Sequence, residues 1–222
     1  YLLNTCGISA PETITLCVDE SGKKETYEYV SLSPQLKKLI PDKTSLLSVS
    51  ADSTSGPDGD HNQPRKLRGI WDGSIHQQVA NDTLHLSIYY DDFQVGNPLS
   101  SKAKYSKVGA VYCAVNNLKG GTEVSNILLV MIFYEVLLQR HSWAQILRPL
   151  MCELTELESQ GLVLVSGEKV QVRLAAVLGD NLGVHSIAGF STAFQGGAMM
   201  CRHCLGTKDE IQQKTVASDF MT

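Results

Sequence analysis

Two aspartates, a cysteine pair and a run of lysines are the residues whose types and spacing could do chemistry. The stretch LHLSIYYDDFQVGNPL, residues 84–99, is an apolar run that reaches two adjacent acids, Asp91 and Asp92, and breaks at Asn97-Pro98. A second apolar run, QVRLAAVLGD, ends at Asp180. Two carboxylates brought by separate strands to one sheet edge repel each other and are stable together mainly when a cation lies between them. Hard oxygen ligands with open water positions suit Mg²⁺ or Mn²⁺. Two such ions about 3.5–4 Å apart can activate an attacking oxygen and stabilise the leaving one in an in-line phosphoryl transfer. Ordinary turn chemistry competes for the same residues, because Asp, Asn, Gly and Pro are common turn formers. Neighbours on a strand point to opposite faces, so Asp91 and Asp92 cannot both be ligands. Asp91 is the expected one, and Asp92 a turn residue or a group supporting it from behind.

CRHC, residues 201–204, has the spacing of half a zinc site: two thiolates on a tight turn suit tetrahedral Zn²⁺, which needs two more ligands. Free thiols near a helix end are the competing reading. His203 is poorly placed to share a metal with Cys201 and Cys204, His185 is expected to be a packing or surface residue, and His61, in the loop at 50–66, is a weak metal candidate. Lys102, Lys104 and Lys107 form a small basic loop after the first acids and could contact phosphates. PRKLR, residues 64–68, is a weaker patch of the same kind.

The elements that must position these groups follow from pattern. ETITLCVDESGKKETYEYVSL reads as two strands around a Ser21-Gly22 turn, and SPQLKKLI as a short helix with Ser33 as its cap and Pro34 at its first position. Residues 50–66 are rich in Ser, Asp, Gly and Pro and read as a linker or long surface loop. Leu84, Leu86, Ile88 and Tyr90 alternate with polar positions, giving a strand. VGAVYCAVNNL is a second strand, and NILLVMIFYEVLL a third, or a strand running into a helix. SWAQILRPLMCELTELESQG is a helix that Ser142 can cap, with Ile146, Leu147, Leu150, Leu154 and Leu157 at helical spacing and Gly161 as the stop. Pro149 is expected to kink it. LVLVSGEKVQVRLAAVLGD is a hairpin turning at Ser166-Gly167, and NLGVHSIAGFSTAF a short helix or turn-rich segment. Three strands in succession suggest an antiparallel meander, and a fourth reached through a helix suggests a parallel addition beside the first. The carboxyl ends of the first and fourth strands, with Asp91 and Asp180, would then be neighbours, which is where ligands sit in open α/β sheets. This arrangement matches the ribonuclease-H-like core.

Composition bounds the alternatives. Hydrophobic residues make up 43% of the 222, enough for a packed core. The net charge of −4 argues against DNA binding by bulk basicity, so any DNA contact must use local patches. No window is long and apolar enough to span a bilayer; the best, residues 127–138, is short and interrupted by Glu135. Six cysteines, four of them scattered, with no secretory pattern favour a reducing compartment over a disulfide framework. The chain starts at Tyr1 rather than Met and reads as a piece of a longer protein.

Residues 88–207 resemble the catalytic region of cut-and-paste DNA transposases of the CACTA/Mirage/Chapaev kind. They are more distantly similar to the Transib transposases and the RAG recombinase. The resemblance is carried by DDFQVGNPL, by the helix LRPLMCELTEL, by RLAAVLGDNLGVHSIAGF, and by a C-x-x-C that begins 21 residues after Asp180. It implies an α/β fold: a ribonuclease-H-like mixed sheet with flanking helices over residues 76–222, and part of a zinc-bearing insertion. A small N-terminal α+β accessory region would occupy residues 1–50 and a linker or long loop 51–75. It further implies that Asp91 and Asp180 are the first two catalytic acids and hold Mg²⁺ or Mn²⁺. Cys201 and Cys204 would be the first half of a structural Zn²⁺ site. The family's third acid, a Glu, and its paired histidines are expected beyond Thr222, so the 222 residues alone are expected to be inactive. The family often has Gly where this chain has Asp92; the Asp-x-Phe phase and the strand alternation both favour Asp91. The implied partner is double-stranded DNA, both transposon ends and target, with a second copy of the chain as a candidate partner, no membrane, and a nuclear location. Two rival expectations stand beside this one. The first is a catalytically inactive, domesticated module that binds DNA or protein. The second is a ribonuclease or exonuclease of the same core.

Overall fold

The computed structural model describes residues 10–46, 83–97, 106–118 and 123–192, with Thr207 and Asp209. The fold is mixed α/β, built on one six-stranded sheet with a few helices. Two compact units divide the chain, residues 1–177 and 178–222, and each is described by itself.

Strands β1 (Glu12–Val18) and β2 (Lys24–Tyr29) form an antiparallel hairpin. Its turn is tied by Asp19, whose Oδ1 accepts from the N–H groups of Ser21 and Lys23 at 2.9 Å each, and Gly22 takes the positive φ that closes it. Helix α1 (Leu32–Leu39) follows and buries Leu32 and Leu36. It begins at Leu32, two residues before the expected first position at Pro34, so Ser33 lies inside the helix rather than capping it. Ser31 occupies its N-cap, yet the Ser31 side chain makes no capping bond to the helix.

The centre of the sheet is a meander of β3 (Leu84–Gln94), β4 (Lys107–Val115) and β5 (Ile127–Tyr134). β3 pairs β4 antiparallel from Leu86↔Val115 to Gln94↔Lys107, and β4 pairs β5 antiparallel with a bulge between Val111 and Tyr112. β2 joins the far side of β5 through Glu28↔Ile132 and Tyr29↔Met131. The N-terminal hairpin is therefore part of the same sheet as the meander.

One face of the sheet carries the core. Tyr27, Tyr29, Met131, Phe133, Val111, Tyr90, Ile88 and Leu86 are all buried there. The apolar run after β5 becomes a short 3-10 helix, Glu135–Gln139, which resolves the strand-or-helix ambiguity of that stretch. The expected single helix is two. Helix α2 (Trp143–Ile146) is opened by a capping box between Ser142 and Gln145, and helix α3 (Arg148–Gln160) starts with Pro149 in its first turn. Proline lacks the N–H that would continue the ladder, so the chain breaks at Leu147 and restarts with Pro149 where a missing donor costs nothing. Ile146, Leu150, Leu154 and Leu157 are the buried stripe. Trp143 lies edge-on to Tyr90 and Phe133, with ring centroids 4.8 and 5.9 Å away. Gly161, at φ 73°, ends α3, its N–H donating to Leu157 O at 2.8 Å.

The chain then makes a two-stranded hairpin, β6 (Leu162–Val163) and β7 (Lys169–Val170), before β8 (Val172–Gly179) enters the main sheet beside β3. The order is β1-β2-β5-β4-β3-β8. Leu84 N–H donates to Gln171 O at 2.7 Å, so β3 and β8 begin at the same end and run the same way. In the second unit, helix α4 (Asn181–Ile187) follows β8 directly. No helix among the described residues is long and apolar enough to cross a membrane.

Candidate functional site

β3 does not close at Asp91. It continues through Asp92 and Phe93 to Gln94, still paired with β4, and has ended before Asn97. Asp91 sits opposite Ala110, on the side of the sheet away from Trp143, and is exposed. Its neighbours on that side of the strand, Tyr89 and Phe93, are also exposed, and Tyr89 faces Tyr112 with ring centroids 6.4 Å apart. Asp91 Oδ1 accepts from the backbone N–H of Asp92 at 2.9 Å.

Asp92 points the other way, as the strand period requires. It lies opposite Gly109, and its Oδ1 is 2.8 Å from the ammonium of Lys107, two residues along β4 on the same face. Lys107 is thus the first residue of β4 rather than a loop residue, and its charge is held by Asp92. The two adjacent acids have distinct surroundings: one faces open solvent, the other is half-buried in an ion pair.

Asp180 belongs to the second unit. It is the N-cap of α4, where its Oδ1 accepts from Gly183 N–H at 2.6 Å. That is the turn-type role of an aspartate at a helix start. A carboxylate has a second oxygen and several lone pairs, so capping and cation binding are compatible. His185, on α4, is buried; its Nδ1 is 3.1 Å from Ser191 O and its ring packs on Phe190 at 5.6 Å between centroids. It is a packing residue. His61, the run at 64–68, Lys102, Lys104, Cys201 and Cys204 lie outside the described residues.

A cluster that pattern reading did not assemble lies in the first unit. Cys17, Glu25 and His141 bring a thiol, a carboxylate and an imidazole together, with their ligand-type atoms all within 4.8 Å of one another. Cys17 and Glu25 are cross-strand partners in the β1–β2 hairpin, just past the bulge between Thr15 and Cys17. His141 comes from the joint between the 3-10 helix and α2. Its own N–H donates to Leu137 O at 2.8 Å, and the next residue, Ser142, caps α2. Glu25 Oε1 takes the guanidinium of Arg140, while Oε2 lies 2.6 Å from His141 Nε2 and 3.5 Å from Cys17 Sγ. Hydrogen bonding from His141, helped by Arg140, holds the Glu25 carboxyl below its usual range despite partial desolvation. Loss of solvent and the nearby Glu25 carboxylate raise the Cys17 thiol. The hairpin turn, legible at Ser21-Gly22, was enough to set Cys17 against Glu25. Nothing in the local pattern links either to a histidine more than a hundred positions away.

No protein-family model and no curated protein matches this chain.

Proposed function

We propose that the chain is part of a DDE-type DNA transposase. Its ribonuclease-H-like core, in the intact protein, would cleave and join double-stranded DNA with Mg²⁺ or Mn²⁺ in the nucleus. The observation that carries this reading is the strand order β5-β4-β3-β8: a meander followed by a strand that is reached through helices and added parallel to the first. In this reading Asp91 on β3 and Asp180 after β8 are the metal-holding acids. Their chemistry is to present carboxylate oxygens to ions that activate the attacking oxygen, water for cleavage or a DNA 3′-hydroxyl for joining. Asp92 steadies the strand through Lys107, and Cys201 and Cys204 contribute half of a structural zinc site. Lys102 and Lys104 are the candidate phosphate contacts.

The test is Mn²⁺-dependent strand cleavage by the full-length protein. Asp91→Ala is expected to lower it on the order of 100-fold or more, because a lost ligand costs at least as much as a lost group behind a ligand. Unchanged cleavage in that variant, or a loss seen with Asp92→Ala instead, refutes the assignment.

A second reading, a module that binds DNA or protein without catalysis, is favoured by one observation: Asp180 already has a structural duty at α4. Asp180→Asn separates the two, since asparagine caps helices as well as aspartate does but brings no charge to a cation.

A further inference from the structure

Three ligand-type side chains from three chain segments converge beside the hairpin, and that convergence is independent of the proposed function. A carboxylate only accepts hydrogen bonds, so at 2.6 Å the His141 Nε2 must carry the proton it shares with Glu25 Oε2. The Cys17 thiol donates to the same oxygen at 3.5 Å. Two weak acids therefore point their protons at one carboxylate oxygen, with Cys17 Sγ and His141 Nε2 themselves 3.9 Å apart. A divalent cation at the centre of that triangle releases the thiol proton to solvent and binds the imidazole through Nε2, whose proton passes to Nδ1.

We propose that Cys17, Glu25 and His141 bind a zinc ion that ties the β1–β2 hairpin to the segment entering α2. The donor set selects the metal. A thiolate with an imidazole suits Zn²⁺ and disfavours Mg²⁺ and Ca²⁺, which want oxygen alone. Zn–S near 2.3 Å and Zn–N or Zn–O near 2.0–2.2 Å put tetrahedral ligand atoms about 3.3–3.6 Å apart. The sulfur-to-carboxylate separation of 3.5 Å already fits. The imidazole and carboxylate must part by about 0.7 Å to reach that tetrahedral spacing, and the sulfur and imidazole must close by a few tenths. Side-chain rotation supplies both. Arg140 on Glu25 Oε1 leaves Oε2 as the single donor oxygen, so the carboxylate would bind through one atom with its other oxygen held, as orienting partners do at metal sites. Cys17 is exposed, which leaves the fourth tetrahedral position to water.

The experiment is residue-resolved alkylation of the unaltered chain with and without excess Zn²⁺, read by peptide mass spectrometry. Zn²⁺ is expected to abolish labelling of Cys17 and to leave Cys152, exposed on α3 and outside any such cluster among the described residues, as reactive as before. Mg²⁺ should protect neither. Cys17 labelled equally with and without Zn²⁺ overturns the proposal, and needs no substitution whose folding is in question. A second measurement uses Co²⁺ in a Cys201→Ser, Cys204→Ser background, so that the expected half-site cannot contribute. A thiolate-to-cobalt absorption band should be present there and lost on Cys17→Ser. His141→Gln should weaken Co²⁺ binding about 10-fold or more. A band that survives Cys17→Ser, or Co²⁺ binding unaffected by His141→Gln, overturns it equally.

Discussion

Asp180 shows how one carboxylate can answer to two demands, and substitutions can pull them apart. Its Oδ1 caps α4 through Gly183 N–H at 2.6 Å. Replacing it with alanine removes the cap and any metal ligand together, at a cost of about 0.5–2 kcal/mol to stability. Asp180→Asn should keep the thermal midpoint within error of the unaltered protein while removing metal-dependent cleavage in the full-length protein. A variant that stays active would leave the residue a helix cap only. At the same scale, Gly109 is constrained by what faces it. A Cβ there would stand 2.7 Å from Phe133 Cζ and 3.1 Å from Tyr90. Both rings are buried and packed on Trp143, so they have little room to move. Gly109→Ala should destabilise by about 1–3 kcal/mol, the usual cost of overpacking, and a denaturant midpoint that does not fall would contradict that. That Asp91 and Asp92 face opposite sides of the sheet was readable from strand alternation alone. That Lys107 neutralises Asp92 was not readable, since it depends on the β3–β4 register.

Between elements, the clearest dependence is that of α1 on α3. α1 has no side-chain cap of its own, and Glu153 from α3 supplies one. Its carboxylate accepts from the backbone N–H of Leu32 at 2.9 Å and of Ser33 at 2.7 Å, from Ser31 Oγ at 2.8 Å, and from the Tyr29 hydroxyl. Burial alone would push this carboxyl up, but the bonds from Tyr29, Leu32 and Ser33 together bring it below its usual value. A carboxyl depressed in the folded state contributes in full above its unfolded pKa, and the contribution is lost as pH falls through the folded value. Glu153→Gln should therefore cost about 1.5–3 kcal/mol near neutrality, the range for a hydrogen bond to a charged group. The gap to the unaltered protein should narrow as the pH is lowered into the acid range; urea melts at several pH values check both, and a constant gap would refute the charge-based account. Ser33 looked like the capping residue in the sequence. The real cap is more than a hundred positions away, and local pattern has no access to it. Helix α3 was a mixed case: Pro149 marked where the ladder is disturbed, though as a kink in one helix rather than a break between two, and the apolar spacing marked the buried face, because both effects are local.

For the whole molecule, the legible part was the succession of strands, and the part that required coordinates was who lies beside whom. Alternation identified β3 and β4 and left β5 open, and the hairpin at Ser21-Gly22 was plain. The attachment of that hairpin to the sheet rests on only two residue pairs, Glu28↔Ile132 and Tyr29↔Met131. Nothing in the composition of residues 1–50 announces it, so an accessory region was the natural expectation. The sheet instead runs continuously from β1 to β3 through β2, β5 and β4.

Among the described residues that continuity leaves β1 as an outer strand of the sheet, with one row of amide and carbonyl groups turned away from β2. Such a strand is a template on which a strand from another chain can add. The bulge between Thr15 and Cys17 interrupts its regular ladder. A local kink and extra twist spoil the flat, repeating contour that an incoming strand needs to zip along. An irregularity of the kind beside Cys17 makes edge-to-edge pairing with a strand of another chain less favourable.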